Sequence, residues 1–205
     1  MSDRLSTEIE KIPLSGDDLI DIANCMGTKR VKWMLYDDLK DIKTVDQIFG
    51  ENFDAVYILL LIKNQEDNTS SVGHWVTFLF HRERREYYWY DPYGLRIAKE
   101  LDITQEPDFI IKITKGINIH ENTIQHQKFS SDINTCGRHC VLRSVFYHLN
   151  NKEYHSQLIS PMVPIPIREA DSLVALMSGL ASKSDRTLIE FFNKKSKLDK
   201  KTEVN

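Results

Sequence analysis

The chain has 205 residues, with 41% hydrophobic, 28% charged and 10% aromatic side chains, proportions that suit one packed domain and exclude a disordered chain or two large domains. A formal net charge of −3 excludes a nucleic-acid binder that is basic over its whole surface. The longest apolar run, Ala55 to Ile62, falls far short of the ~18 residues of a spanning helix, and Met1 to Lys11 alternates charges with no apolar segment behind it, so neither a membrane span nor a signal or transit peptide is expected.

The N-terminal third reads as helical. Ser15 followed by Asp18, just before Leu19, Ile20, Ile22, Ala23 and Met26, has the form of a capped start with an apolar stripe, and Gly27 ends it. A second short helix begins after Thr44, with Gln47 reaching back and Gly50 closing it. From Ala55 the pattern turns to strands: Ala55 to Lys63 is nearly continuous in apolar residues, as a strand buried on both faces would be, and Trp75 to Phe80 and Glu86 to Tyr90 are rich in aromatic and β-branched residues. His81 to Arg85 suits a hairpin loop, Asp91-Pro92-Tyr93-Gly94 a tight turn, and Phe109 to Ile113 a further strand.

Helical periodicity returns from Ile133 to Asn150, where Cys136, Cys140, Val141, Ser144, Val145, His148 and Leu149 share one face and Cys136 lies in the first turn. Pro161, Pro164 and Pro166 predict an extended segment, Arg168 to Leu180 and Ser184 to Phe192 two closing helices, and Asn193 to Asn205 a basic flexible tail. The three cysteines, Cys25, Cys136 and Cys140, are too few for a disulfide framework and lack zinc-site spacing, so free thiols in a reducing compartment are expected. Cys25 and Cys140 read as small core residues.

One constellation carries chemistry: His74-Trp75, Asp91 in its turn, Gln125 and Gln127, and Cys136-Gly137 opening a helix. A thiol acts as a nucleophile in its thiolate form, which a helix N-terminus and a neighbouring imidazole both favour. If the two strands around His81 to Arg85 pair, His74 and Asp91 reach the same sheet edge, where the carboxylate fixes the imidazole tautomer. A glutamine amide and the Cys136 N–H then offer donors for an oxyanion. An Asp in such a turn ordinarily bonds its own backbone, so its pairing with His74 is what gives it a role. His139 shares the helix with Cys136 and reads as structural, and Trp75 reads as either core or cleft wall.

The order His, Asp, Gln, Cys and the words Gly73-His74-Trp75, Tyr90-Asp91-Pro92-Tyr93-Gly94-Leu95 and Asn134-Thr135-Cys136-Gly137-Arg138-His139 resemble the adenovirus-protease and SUMO-protease clan of cysteine peptidases. The likeness is nearest to the maturation proteases of adenoviruses, polintons, virophages and large DNA viruses, and covers about residues 14 to 192. It implies an α+β, papain-like fold with permuted order, in which the nucleophile helix packs against a central mixed sheet. The domain would span 1–192 and the tail 193–205. It further implies an endopeptidase acting on viral capsid or other structural precursors, with catalytic His74, Asp91, Gln127 and Cys136, no metal or organic cofactor, small residues around the scissile bond, and residence in the host cytoplasm or viral factory and then the virion. Family members place the oxyanion glutamine nearer the cysteine than Gln127 or Gln125 stands here; Gln127, the closer of the two, is the expected donor. A monomer is expected, with weak DNA binding through Lys194, Lys195, Lys197, Lys200 and Lys201. Rival readings are a SUMO- or ubiquitin-like-modifier protease and a non-enzymatic capsid-binding module on the same fold.

Overall fold

A five-stranded mixed sheet in the order β1-β2-β3-β4-β5 organises the chain. The computed structural model describes residues 7–63, 70–160 and 167–179. The strands are β1 (Val31–Leu35), β2 (Ala55–Lys63), β3 (Ser70–His81), β4 (Glu86–Tyr90) and β5 (Ile119–Glu121). The β2-β3-β4 centre is antiparallel, and β1 and β5 pair parallel at the two edges. Alternation along β2 feeds two cores: Ala55 and Tyr57 face one layer, Val56, Ile58 and Leu60 the other. The expected double-faced burial of this strand is what the sheet requires, since helices cover both sides.

On one face lie α1 (Gly16–Cys25) and α5 (Cys136–Val145), packed with Leu19, Ile22, Tyr57, Tyr90, Cys140 and Val141. On the other lie α2 (Val45–Phe49), α3 (Ile97–Thr104) and α4 (Phe109–Ile113), around Val76, Phe78, Trp89, Leu101 and Ile110. The start of α1 has the expected capping box: the Ser15 hydroxyl accepts from Asp18 N–H at 3.2 Å while the Asp18 carboxylate accepts from Ser15 N–H at 3.0 Å. In α2, Gln47 accepts from Thr44 N–H at 3.2 Å and Gly50 ends the helix at φ +55°. The helix α7 (Ile167–Gly179) packs on α5.

Four expectations need correction. The N-terminal third is not wholly helical, because Val31–Leu35 is an edge strand; its short run, interrupted by Lys32 and a Trp33 left 39% exposed, carries too little alternation to declare itself. Phe109–Ile113 is a helix rather than a strand: Ile110 and Ile113, three apart, are buried while Ile111 faces out, and a five-residue apolar run fits either period. The nucleophile helix ends at Val145, and Asn150 is instead the N-cap of the following helix α6 (Asn151–Glu153), accepting from Glu153 N–H at 2.9 Å. Cys25 is exposed at the end of α1 rather than in the core. The closing helix predicted at Arg168 to Leu180 is present as α7, whereas Pro161 to Pro166, Ser184 to Phe192 and the tail lie outside the described residues.

Candidate active site

Cys136 is the first residue of α5. That places its thiol at the positive end of the helix, where the first-turn N–H groups lack intrahelical acceptors. Gly137 permits the approach: a Cβ there would stand 2.7 Å from Leu19 of α1 and 3.2 Å from the Trp75 ring. Burial alone would push the half-buried thiol up. The hydrogen bond and charge of His74, with backbone groups at Trp75 and Gly137, outweigh it, and the net shift is downward.

His74 lies within β3 rather than ahead of it, on the strand that runs antiparallel to β4 with Thr77 paired to Tyr90. Asp91 follows β4 directly, and the hairpin therefore brings the two together as expected: His74 Nε2 donates to Asp91 Oδ1 at 2.8 Å. With Nε2 so engaged, Nδ1 is the nitrogen left for Cys136. Burial favours the neutral ring, yet the hydrogen bonds to Asp91 and Cys136 and the nearby Glu100 carboxyl raise His74 well above its usual value. Both shifts favour an imidazolium facing a thiolate over the neutral pair. Tyr93 stacks on the ring at 4.7 Å and Phe129 stacks on Tyr93 at 4.1 Å, shielding the imidazole from one side.

The turn that carries Asp91 is held by its own carboxylate, which accepts from Tyr93 N–H at 2.9 Å and Leu95 N–H at 2.8 Å. Its backbone then anchors the glutamine loop. Pro92 O accepts from His126 N–H at 2.8 Å and Gln127 N–H at 2.9 Å, and Asn122 Nδ2 bridges Asp91 O and Ile124 O. Gln127 is buried, one amide hydrogen going to Ile133 O at 3.3 Å, and its Oε1 has no partner among the described residues. Gln125 Nε2 is spent on Gln127 O at 2.8 Å, so it braces the loop.

Two carboxyls that the sequence reasoning missed also converge here. Glu100 of α3 is buried with Oε1 3.4 Å from His74 Nε2. Burial first, then the Asp91 charge and a hydrogen bond with it, push the carboxyl up to about 8, with His74 opposing. The signal was its place in α3: Ile97, Glu100, Leu101 and Thr104 form the buried stripe, so Glu100 occupies an apolar-face position. Asp171 of α7 is also buried, among Ala170, Val174 and Ala175, and its carboxylate accepts from His139 Nε2 at 2.9 Å. The His74, Asp91 and Glu100 ligand atoms lie within 4.8 Å of one another, close enough to chelate a divalent ion. Their existing hydrogen bonds, with Cys136 on the ring's other nitrogen, make them an oriented base rather than an open ligand set.

A cleft of about 410 Å³ reaches Cys136 between Leu14, Trp33, Leu59, Leu61, Trp75 and Asn134. Trp75 is both core and wall: it is 5% exposed, and its indole N–H donates to Leu14 O at 3.0 Å. A larger polar cavity of about 550 Å³ lies along β5 beside Arg84, Arg96 and Lys152 and touches none of the residues above.

No family model matches the chain. Over 156 residues it is 28% identical to "Uncharacterized protein V9" of Sputnik virophage, spanning 71% of this chain and 82% of that protein. Among solved structures, Chlamydia trachomatis effector protein Cdu1 bound to ubiquitin is similar at a TM-score of 0.38 and 12% identity, covering 91% of this chain and 80% of that one. A superposition that loose does not bear on function.

Proposed function

We propose that the chain is a cysteine endopeptidase of papain-like fold in permuted order, acting on viral structural precursors during particle maturation. The observation that carries the reading is one imidazole, His74, bonded through Nε2 to buried Asp91 and hydrogen-bonded to Cys136 at a helix N-terminus. The similarity to a virophage protein supports a viral setting.

In this reading Cys136 Sγ attacks the scissile carbonyl carbon, and the carbonyl electron pair moves onto oxygen. The Cys136 N–H and the second Gln127 amide hydrogen stabilise that oxyanion. Collapse of the intermediate expels the amine, which takes its proton from the His74 imidazolium, and leaves a thioester on Cys136. Water attacks the thioester while His74 accepts its proton. Collapse of the second intermediate frees the carboxylate product and regenerates the thiolate. Asp91 holds the ring in the orientation that presents Nδ1 throughout. The cleft between Trp33, Trp75, Leu59 and Leu61 is apolar and takes an extended peptide segment.

The test is a peptide library of mixed sequence incubated with wild type and Cys136→Ala, with fragments identified by mass spectrometry. Internal cleavage by wild type alone is the expected result. Release of ubiquitin or SUMO from a fusion, with no cleavage in the library, assigns the modifier-protease reading instead. No hydrolysis of either class leaves the binding-module reading.

A further inference from the structure

Asp171 is wholly buried on α7, and all its described partners belong to the two segments that meet at the nucleophile. Its Oδ1 accepts from the Thr135 hydroxyl at 2.5 Å and from His139 Nε2 at 2.9 Å, and its Oδ2 accepts from Lys128 N–H at 3.0 Å. Thr135 immediately precedes Cys136, His139 lies one helical turn beyond it, and Lys128 immediately follows Gln127. One carboxylate thus spans the start of α5 and the end of the glutamine loop. An ionised carboxylate is acceptor-only, and three donors on it is a satisfied arrangement. The contact fixes the His139 tautomer with hydrogen on Nε2, and Nδ1 has no partner among the described residues.

We infer that Asp171 is a positioning residue that sets the distance between the Gln127 amide and the Cys136 N–H, and so builds the oxyanion hole from a helix that contributes nothing to the thiol–imidazole pair. The inference rests on the peptidase reading above. Its logic is geometric. Pro92 O holds the glutamine loop from the hairpin side through His126 and Gln127 N–H, but no described bond of that anchor reaches α5. The Asp171 bridge supplies that connection. The Gln127 bond to Ile133 O, at 3.3 Å, is long for an amide pair and is the weaker tie.

The separation of roles gives the test. Alkylation by iodoacetamide is a displacement at carbon with no oxyanion, and reads only the thiolate. Peptide hydrolysis reads thiolate and oxyanion hole together. In Asp171→Ala, kcat is expected to fall on the order of 10²-fold with KM within about threefold, as for the loss of one oxyanion donor, while Cys136 alkylation stays within about threefold of wild type. Hydrogen exchange of the Lys128 amide, read by mass spectrometry on peptides spanning 125 to 130, is expected to speed up by at least 10-fold as its acceptor goes. Asp171→Asn keeps an acceptor for Lys128 N–H and turns its amide toward Thr135 and His139, whose hydroxyl and alternative tautomer can accept; it is expected to recover to within about 10-fold of wild-type kcat. That variant carries the test if the alanine protein does not fold. Unchanged Lys128 exchange in a folded Asp171→Ala, or alkylation falling in step with kcat, overturns the inference. A wild-type protein that alkylates at Cys136 but hydrolyses no peptide overturns the peptidase reading instead, and the exchange measurement still decides whether Asp171 clamps the loop.

Discussion

Gly94→Ala tests how tightly the acidic turn and the glutamine loop are matched. Gly94 sits at φ +74°, and a Cβ on it would stand 2.8 Å from Gln125 N and Ile124 C and 3.0 Å from Ile124 O. The left-handed backbone costs an alanine about 1–2 kcal/mol. The overlap is with backbone, so it cannot be relieved by a rotamer change; ordinary contact at ~3.5 Å requires the loop to retreat by roughly 0.7 Å. That movement stretches the 2.8 and 2.9 Å bonds from His126 and Gln127 N–H to Pro92 O beyond useful length, at ~1 kcal/mol each. Together these amount to about 3–4 kcal/mol, or a Tm lower by roughly 10 °C for a chain of this size. Displacing Gln127 by that distance is expected to lower kcat on the order of 10²-fold. Gly116→Ala is the control, since Gly116 has φ +81° with nothing within 4 Å of the added carbon; it carries the backbone cost alone and keeps its kcat. Scanning calorimetry and peptide hydrolysis on the two variants read both effects. If Gly94→Ala matches Gly116→Ala in Tm and wild type in kcat, the turn does not position the loop.

Iodoacetamide below neutral pH is expected to label Cys136 before exposed Cys25, whose accessibility favours it, and before Cys140, whose thiol burial pushes well up; peptide mapping that finds Cys25 first removes the thiolate from the scheme. Gln127→Ala is expected to cost on the order of 10² in kcat and Gln125→Ala less, because the latter's amide is spent on Gln127 O; the reverse order in steady-state assays moves the oxyanion donor two residues upstream. Glu100→Gln bears on stability against pH. Its carboxyl stands at about 8 in the fold against 4.5 unfolded, so between those values the folded state holds a proton the unfolded state has released, and wild-type stability falls as pH rises through that window. Glutamine removes this dependence, and its advantage over wild type is expected to grow from pH ~4.5 to ~8 toward a ceiling of about 5 kcal/mol at roughly 1.4 kcal/mol per tenfold change in proton affinity; parallel urea midpoints across that range refute the assignment.

The parts of the fold legible in the sequence are those whose signal is local. The capping box at Ser15, the reach of Gln47 back to Thr44, the double-faced run from Ala55, and the turn at Asp91 each depend on a few adjacent residues, and each stands in the fold as expected. The meeting of His74 with Asp91 was also legible, because hairpin pairing is the simplest outcome for two strands joined by a short polar loop. What was not legible depends on partners remote in sequence. Val31–Leu35 is a strand because β2 offers it an edge, and Phe109–Ile113 is helical because Ile110 and Ile113 find the core around Val76, Phe78 and Trp89. Cys25 fell at the exposed end of α1 because a single cysteine carries no phase information of its own.

Glu100 and Asp171 show the limit of pattern reading most clearly, since each carboxyl occupies a buried stripe position that periodicity assigns to an apolar side chain. Burying a carboxyl is tolerated when donors meet it or when it keeps its proton. Asp171 takes the first course, with three donors. Glu100 takes the second, with a hydrogen bond to Asp91, His74 Nε2 at 3.4 Å, and no partner for Oε2 among the described residues. The difference also decides which of the two carboxyls beside His74 orients it. Asp91 accepts from Tyr93 N–H, Leu95 N–H and His74 Nε2 at 2.8 to 2.9 Å, so its position is fixed by the turn before the imidazole arrives. Glu100, placed by α3 packing and a hydrogen bond with Asp91, adjusts to whatever proton the Asp91–His74 pair leaves it. A charged side chain on the apolar face of a predicted helix is therefore the feature to search for when a site has more members than its motif words name.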